Sequence, residues 1–156
     1  MISNIDTYFA VAHEALKKSK RYDAQYRKPK PDGSPGHIIT FDRGRKSFKN
    51  SLIAIVFAGV YLDALLFIVG TQRLGRRQYK LIKKAKYEER LKRLGCTDKQ
   101  LLADCERFRR ARNEVAHEQA AEPAAATLKE LRFAQHEADH ALKFIKQASK
   151  CLASAT

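Results

Sequence analysis

The sequence has only three cysteines, Cys96, Cys105 and Cys151, and it contains no CxxC pair. An odd number of widely spaced cysteines argues against a disulfide framework and against a thiolate zinc site. We therefore expect three free, buried thiols in a reducing cytosol. The first 20 residues also lack the basic start and apolar core of a signal peptide, so we expect a cytoplasmic location.

Acidic residues are scarce relative to basic ones. The chain has 17 Asp and Glu against 31 Lys and Arg, which gives a formal net charge of +14. Such a charge attracts polyanions, so nucleic acid is the expected partner. An anionic membrane surface is the second interpretation, and a merely soluble basic protein is the third. The 156 residues, of which 44% are hydrophobic, are enough for one domain, 1–156, with its own core.

Strand patterns are almost missing. Residues 38–41 are too short an apolar run to count as a strand, and elsewhere apolar residues recur at helical spacing. Three of the four prolines and two of the seven glycines lie between residues 29 and 36. The sequence therefore predicts an all-α fold, a bundle of about five helices, with a long mobile loop over about residues 26–42.

One apolar run, residues 52–69, raises the question of a transmembrane helix. Asp63 lies inside this run, and a lone carboxylate is costly in lipid. We therefore expect a central helix that is apolar all round because other helices cover it on every side, and we expect no membrane partner.

Residues 73–93 hold ten Lys and Arg against two Glu, a net charge of +8. The pattern predicts one basic helix, with Tyr79 and Tyr87 available to stack on bases. A plain solvated helix face is the alternative. The candidate nucleic-acid-binding residues are Arg76, Arg77, Lys80, Lys83, Lys84, Lys86 and, further along the chain, Arg109.

Arg112 and His117 form the most informative pair in the chain. They lie on a helix expected over residues 98–118, which begins at a capping box formed by Thr97 and Gln100. An arginine can stabilise the growing charge on a phosphate, and a histidine can move a proton near neutral pH. Five positions place the pair roughly 140° apart on a regular helix. Either the helix distorts near His117, or a second copy completes the site; Asn113, four positions from His117, can orient its ring.

Residues 109–118, RRARNEVAHE, resemble the Arg-x4-6-His motif of the HEPN domain family. The apolar helix with an acidic residue, VYLDALL at 60–66, and the break at Leu94-Gly95 before the motif helix support the likeness. The resemblance covers most of residues 44–150. It implies an all-α domain that dimerises with the two motifs facing each other.

In its active members the family implies a metal-independent endoribonuclease that leaves a 2′,3′-cyclic phosphate and a 5′-hydroxyl. On this chain Arg112 would stabilise the phosphorane, His117 would act as acid or base, and Asn113 and Asp63 would position them. The resemblance also implies a toxin or antiviral role and an antitoxin or other regulatory protein as a partner. Gln119 stands where many HEPN toxins carry a modifiable tyrosine. An inactive module that dimerises and binds nucleic acid or protein is the alternative.

The run His136-Glu137-Ala138-Asp139-His140 matches H-E-x-x-H, the pattern of zinc proteases. A catalytic zinc needs a third protein ligand, and the 16 residues after His140 include no His, Asp or Glu. We therefore expect an exposed polar face here, and we expect neither a metal nor another cofactor.

Overall fold

The computed structural model describes residues 4–40, 43–117 and 128–154. Five helices and one small hairpin make up this part of the chain, so the prediction of an all-α fold is confirmed. The elements are α1 (Ile5–Gln25), β1 (Arg27–Pro29), β2 (His37–Ile39), α2 (Lys46–Ile82), α3 (Tyr87–Arg93), α4 (Lys99–His117) and α5 (Leu128–Ser154).

Helices α1 and α2 form an antiparallel pair. The buried Ser19 hydroxyl is hydrogen-bonded to the Ser51 hydroxyl at 2.7 Å, near the start of α2. At the other end, the rings of Phe9 and Tyr61 pack 5.4 Å apart. Helix α5 runs parallel to α2, where the Tyr61 hydroxyl and the Ser149 hydroxyl are 2.9 Å apart. These contacts place α2 at the centre of the bundle.

Helix α2 is covered on one side only. Its buried residues recur at helical spacing and face α1, α4 and α5: Ala54, Ile55, Ala58, Leu62 and Leu66. On the other side Ile53, Val56 and Phe67 are 42%, 38% and 50% exposed. The prediction that α2 is covered all round is therefore wrong, because one chain supplies too few neighbouring helices. Among the described helices, α2 alone is long and apolar enough to cross a membrane, and 33% of its apolar window is buried.

Helix α2 bends at Gly75, whose φ of 76° favours glycine. Beyond the bend, the ring of Tyr79 lies over Gly70, where a built Cβ would come 3.2 Å from the ring's Cγ. Residues 83–86 then turn the chain into the short helix α3. The single basic helix expected over 73–93 is thus two helical pieces and a turn, because Gly75 and this turn interrupt the helical backbone.

Helix α4 begins one residue later than the capping box predicted. The Leu101 backbone N–H donates to Asp98 Oδ1 at 2.7 Å, so Asp98, rather than Thr97, caps the helix that starts at Lys99. The rings of Phe108 on α4 and Phe144 on α5 pack 5.2 Å apart in the centre of the core. This packing fixes the face of α4 that carries Arg112.

The cysteines are not three free thiols. Cys96 and Cys151 form a disulfide across a sequence separation of 55 residues, and only Cys105 is free, in the core. The wide spacing of Cys96 and Cys151 in the sequence was misleading, because the last turns of α5 pack beside the segment that joins α3 to α4. Arg73 reinforces the same junction, since its guanidinium donates to the carbonyl oxygens of Leu94, at 2.6 Å, and of Leu152.

The segment expected to be a structureless loop contains an antiparallel hairpin. Its register pairs Arg27 with Ile39, Lys28 with Ile38 and Pro29 with His37. The strands were missed because each is only three residues long, and the residues of β1 are all exposed. The mobility of the segment stays a prediction, and Phe41 lies outside the described residues.

Candidate functional site

The Arg112 side chain crosses from α4 onto α2 and lies against Gly59. A Cβ built at Gly59 would come 2.7 Å from Arg112 Cδ, so the absence of a side chain there makes the approach possible. The guanidinium Nη2 is 3.4 Å from Asp63 Oδ2, one turn further along α2. The Arg112 side chain remains 32% exposed, so it is anchored without being enclosed.

Tyr87, the first residue of α3, joins Arg112 to Asp63. Its hydroxyl donates to Asp63 Oδ2 at 2.8 Å and accepts a hydrogen bond from Arg112 Nη1. The Arg112 guanidinium carbon also lies 5.6 Å from the centre of the Tyr87 ring. Burial, with the nearby Asp63 carboxylate, raises the pKa of Tyr87 above its usual range, so the hydroxyl stays protonated and able to donate.

Arg90 binds the same carboxylate from the inside. It is 5% exposed, and its Nη1 donates to Asp63 Oδ1 at 2.9 Å while Nη2 donates to the Tyr79 hydroxyl. Burial by itself lowers the pKa of Arg90, but the hydrogen bonds to Asp63 and Tyr79 have the larger, opposite effect. The pKa of Arg90 is therefore raised overall, and the guanidinium stays charged. We call Asp63, Tyr79, Tyr87, Arg90 and Arg112 the arginine cluster.

The arginine cluster has an excess positive charge. Two guanidiniums share the single carboxylate of Asp63, and the Tyr87 hydroxyl stays protonated. The buried cation is Arg90, and the partly exposed one is Arg112, so the excess charge reaches solvent at Arg112. A partly desolvated guanidinium with an anchored geometry suits a phosphate oxygen, which it can bind through two parallel N–H groups.

The remaining predicted catalytic residues lie near the end of α4. The structure brings Asp63 and Arg112 together, as their proposed relationship requires. Asn113 is exposed on α4. The backbone of His117 belongs to the last turn of α4, but its side chain lies outside the described residues. The distance from Arg112 to the His117 ring, and the orienting role of Asn113, therefore stay predictions.

The basic surface lies beyond the bend of α2. Its six cations are all exposed, and within the described ranges none of them takes part in an ion pair: Arg76, Arg77, Lys80, Lys83, Lys84 and Lys86. Leu81, between them, is 76% exposed. Arg109 differs from this set, because its Nε donates to Glu88 at 2.9 Å and its Nη2 lies 3.9 Å from Glu106. The carboxylates of these partners neutralise Arg109.

No protein-family model, curated protein or solved structure matches this chain. The HEPN resemblance therefore depends on the motif at 109–118 and the order of the helices, and it stays a prediction.

The H-E-x-x-H run is engaged in packing between α4 and α5. Glu137 is 4% exposed and accepts hydrogen bonds from Arg107 Nη2 at 2.7 Å and from its Nε. His140 Nε2 lies 3.2 Å from Asp104 Oδ1. The expectation of an exposed polar face holds for His136 and is wrong for Glu137, whose charge is paired inside the fold. The described residues contain no group of three or more His, Cys, Asp or Glu arranged to hold a metal.

Sequence reasoning missed two members of the cluster that contact Asp63. Tyr87 was interpreted as a base-stacking residue, and Arg90 was counted only as part of the basic helix. The signal that could have found the cluster is Gly59, a glycine one turn before the only carboxylate of the apolar run. A small residue at that position indicates the close approach of another side chain.

Proposed function

We propose that this chain is a HEPN-like, metal-independent endoribonuclease that acts as a homodimer, in the role of a toxin or an antiviral defence effector. The observation that carries the proposal is the position of Arg112. It is the arginine of an Arg-x4-His motif, and it is held at the surface end of a cluster with excess positive charge.

The chemistry needs only groups that this chain contains. The 2′-hydroxyl of the RNA attacks the adjacent phosphorus, and the bond to the 5′-oxygen breaks. His117 takes the proton of the 2′-hydroxyl or gives one to the leaving 5′-oxygen, and its counterpart in a second copy can do the other. Arg112 binds the non-bridging oxygens, whose negative charge grows in the transition state. The products are a 2′,3′-cyclic phosphate and a 5′-hydroxyl.

Asp63 and Tyr87 act as positioning residues in this scheme. Each binds one of the two terminal nitrogens of Arg112, so neither the side-chain torsions nor the plane of the guanidinium is free. Holding the group in place before the substrate arrives removes an ordering cost from the reaction. Arg90 fixes Asp63 from behind and prevents Asp63 from neutralising Arg112 fully.

The uncovered face of α2 supports a second copy as the partner. Val56, Asp63 and Phe67 are separated by seven and four residues, so the exposed apolar residues and the Arg112 partner share one helix face. A second copy packed here would exclude water from the arginine cluster and bring two motifs together. We propose this occupant over a membrane because Asp63 lies in the middle of the apolar face.

The decisive experiment is cleavage of a labelled RNA in EDTA by the wild-type protein and by His117→Ala, with the product ends identified. We expect cyclic-phosphate ends from the wild type and none from His117→Ala. Arg112→Lys is the sharper companion variant, because it keeps the charge and removes the planar fork. Intact RNA with a folded, dimeric wild-type protein would contradict the catalytic proposal. A monomer that floats with anionic vesicles would contradict the dimer.

An inactive module that dimerises and binds nucleic acid or a partner protein is the second candidate. The observation in its favour is that the terminal nitrogens of Arg112 are already engaged by Asp63 and Tyr87, as in a purely structural ion cluster. This candidate predicts that His117→Ala leaves RNA affinity unchanged and that the wild type cleaves nothing.

A further inference from the structure

The hairpin formed by β1 and β2 has exposed residues on both of its faces. Lys28 and Ile38 pair across the strands on one face, Pro29 and His37 pair on the other, and all four are exposed. An isolated two-stranded ribbon is marginally stable in water. Burial of its described side chains therefore does not explain why this segment forms a hairpin.

Hydrogen bonds order the hairpin at its base and at its tip. At the base, the Thr40 N–H and hydroxyl donate to the Tyr26 carbonyl oxygen at 2.8 Å and 3.2 Å. At the tip, Asp32 Oδ1 accepts from the Ser34 N–H at 3.0 Å, and Gly33 has a φ of 72°. The fold thus shapes a ribbon and presents it to solvent, an arrangement suited to contact with another molecule.

The surroundings of the hairpin are strongly basic. Residues 17–49 contain eleven Lys and Arg and three Asp, a net charge of +8, which equals the net charge of residues 73–93. Five of these cations lie at the end of α1 and on the hairpin, are exposed and take part in no ion pair within the described part of the chain: Lys17, Lys18, Arg21, Lys28 and Lys30. We call these five residues the hairpin patch.

The hairpin patch lies beside the start of α2, and the basic surface lies beyond the bend of α2. The hydrogen bonds of Ser19 to Ser47 and Ser51 fix the end of α1 beside the start of α2. The basic surface begins just after the bend at Gly75 and ends near Asp63, because the Tyr87 hydroxyl, next to Lys86, donates to the Asp63 carboxylate. Along α2, residue 46 is roughly 25 Å from Asp63 and roughly 40 Å from Gly75, so the two surfaces are roughly 25–40 Å apart.

We propose that the hairpin patch is a second RNA-contact surface, so that this protein acts on RNAs long enough to reach both surfaces. The inference rests on the proposed function, which makes RNA the substrate. One strand of a duplex advances about 3.4 Å per phosphate along the axis, so 25–40 Å corresponds to about 7–12 nucleotides. The contacts are to phosphates, because the patch offers flexible lysines rather than a rigid set of paired donors. Among the described side chains of the hairpin, Ile38 is the one large exposed apolar residue, which is too little for insertion into a lipid surface.

The test is RNA binding without cleavage, measured with fully 2′-O-methylated strands of 6 and 24 nucleotides, which lack the attacking hydroxyl. The variants are Lys28→Glu/Lys30→Glu in the hairpin patch and Lys83→Glu/Lys84→Glu on the basic surface. The matched control is Lys99→Glu/Lys150→Glu, which makes the same charge change at exposed lysines elsewhere. Equal melting temperatures establish that all variants fold.

For the hairpin variant we expect the Kd for the 24-nucleotide strand to rise at least about tenfold and the salt slope to fall by about 1.4, the value for two single-strand phosphate contacts. The Kd for the 6-nucleotide strand should change less than twofold relative to the control, because a short strand can bind the basic surface alone. An effect equal to that of the control on the long strand would overturn the inference.

The outcomes separate this inference from the proposed function. If the basic-surface variant loses affinity for the long strand and the hairpin variant does not, the hairpin patch is excluded and RNA binding stands. If both variants weaken the two strands equally, the requirement for a long RNA is wrong. If the wild type binds neither strand, the proposed function fails and the inference fails with it.

Discussion

The guanidinium of Arg112 and the carboxylate of Asp63 lie 3.4 Å apart, and Arg112 reaches this position from α4 because Gly59 on α2 leaves space for its side chain. The same carboxylate binds Arg90, so one acidic residue organises two cations of different burial. Of the two cations, Arg112 is the one that solvent reaches. Substitutions at Asp63, Tyr87 and Gly59 should therefore change the position of the Arg112 guanidinium.

Tyr87→Phe should leave the fold intact and loosen Arg112. Loss of the hydroxyl removes two hydrogen bonds, which should lower the free energy of unfolding by about 1 kcal/mol. We expect kcat for RNA cleavage to fall more than KM changes, because positioning acts on the transition state. Tyr79→Phe is the matched control, since Tyr79 contacts Arg90 and not Arg112. Equal kinetic losses in the two variants would argue against a positioning role for Tyr87.

The effect of Gly59→Ala on stability should change sign depending on whether Arg112 is present. In the wild-type background the new methyl group overlaps Arg112 and should destabilise the fold by about 1–3 kcal/mol. In an Arg112→Ala background the same change should stabilise it by up to about 1 kcal/mol, since alanine favours helix over glycine. A double-mutant cycle of chemical denaturation measures this coupling. Independent effects of the two substitutions would mean that Arg112 does not lie on Gly59.

Reduction of the Cys96–Cys151 disulfide should destabilise the protein. The bond closes a loop over a sequence separation of 55 residues, and chain entropy alone then contributes about 4 kcal/mol. The measurement is the melting temperature with and without reductant. Cys96→Ser/Cys151→Ser serves as the control, because reductant should not move its melting temperature. A wild-type melting temperature that reductant leaves unchanged would show that the link contributes no stability.

Asp139→Asn should lower the free energy of unfolding near neutral pH, and this difference from the wild type should disappear in acid. Hydrogen bonds from Lys143 and Lys20 lower the pKa of Asp139 below 3.8. A carboxylate with a depressed folded-state pKa stabilises the fold above its unfolded pKa, and this contribution is lost as the pH falls through the folded value. We expect a difference of about 0.5–1 kcal/mol at pH 7, because the pair is partly exposed. Chemical denaturation of both proteins at pH 7 and at pH 2 measures this difference. An equal difference at the two pH values would mean that the charge of Asp139 is not its cause.

The helices could be predicted from the sequence because their signals are local. The apolar spacing of α1 and the break at Leu94-Gly95 correspond to observed elements within a few residues, and the run at 52–69 lies inside α2, which continues to Ile82. The bend at Gly75 was not predicted, since one glycine in a helical pattern is usually tolerated. The hairpin was missed because its strands are only three residues long.

The site was predictable only in part, because its members come from three helices that are distant in sequence. Asp63 and Arg112 stood out as polar residues inside apolar stripes. Tyr87 and Arg90 are hidden in a segment whose cations all look alike, and only tertiary packing makes Arg90 buried while Lys86 is exposed. The disulfide was missed on the same grounds, since no spacing rule brings the end of α5 to Cys96.

The sharing of Asp63 by two arginines also sets which positions tolerate change. Loss of Arg112 leaves Asp63 paired with Arg90, and the charges in the cluster then balance. Loss of the Asp63 carboxylate leaves two guanidiniums facing each other beside Tyr87, with nothing between them to offset their repulsion. In a library of all single substitutions selected for folded protein, position 63 should therefore accept fewer residue types than position 112, although the Asp63 side chain is the more exposed of the two, 42% against 32%.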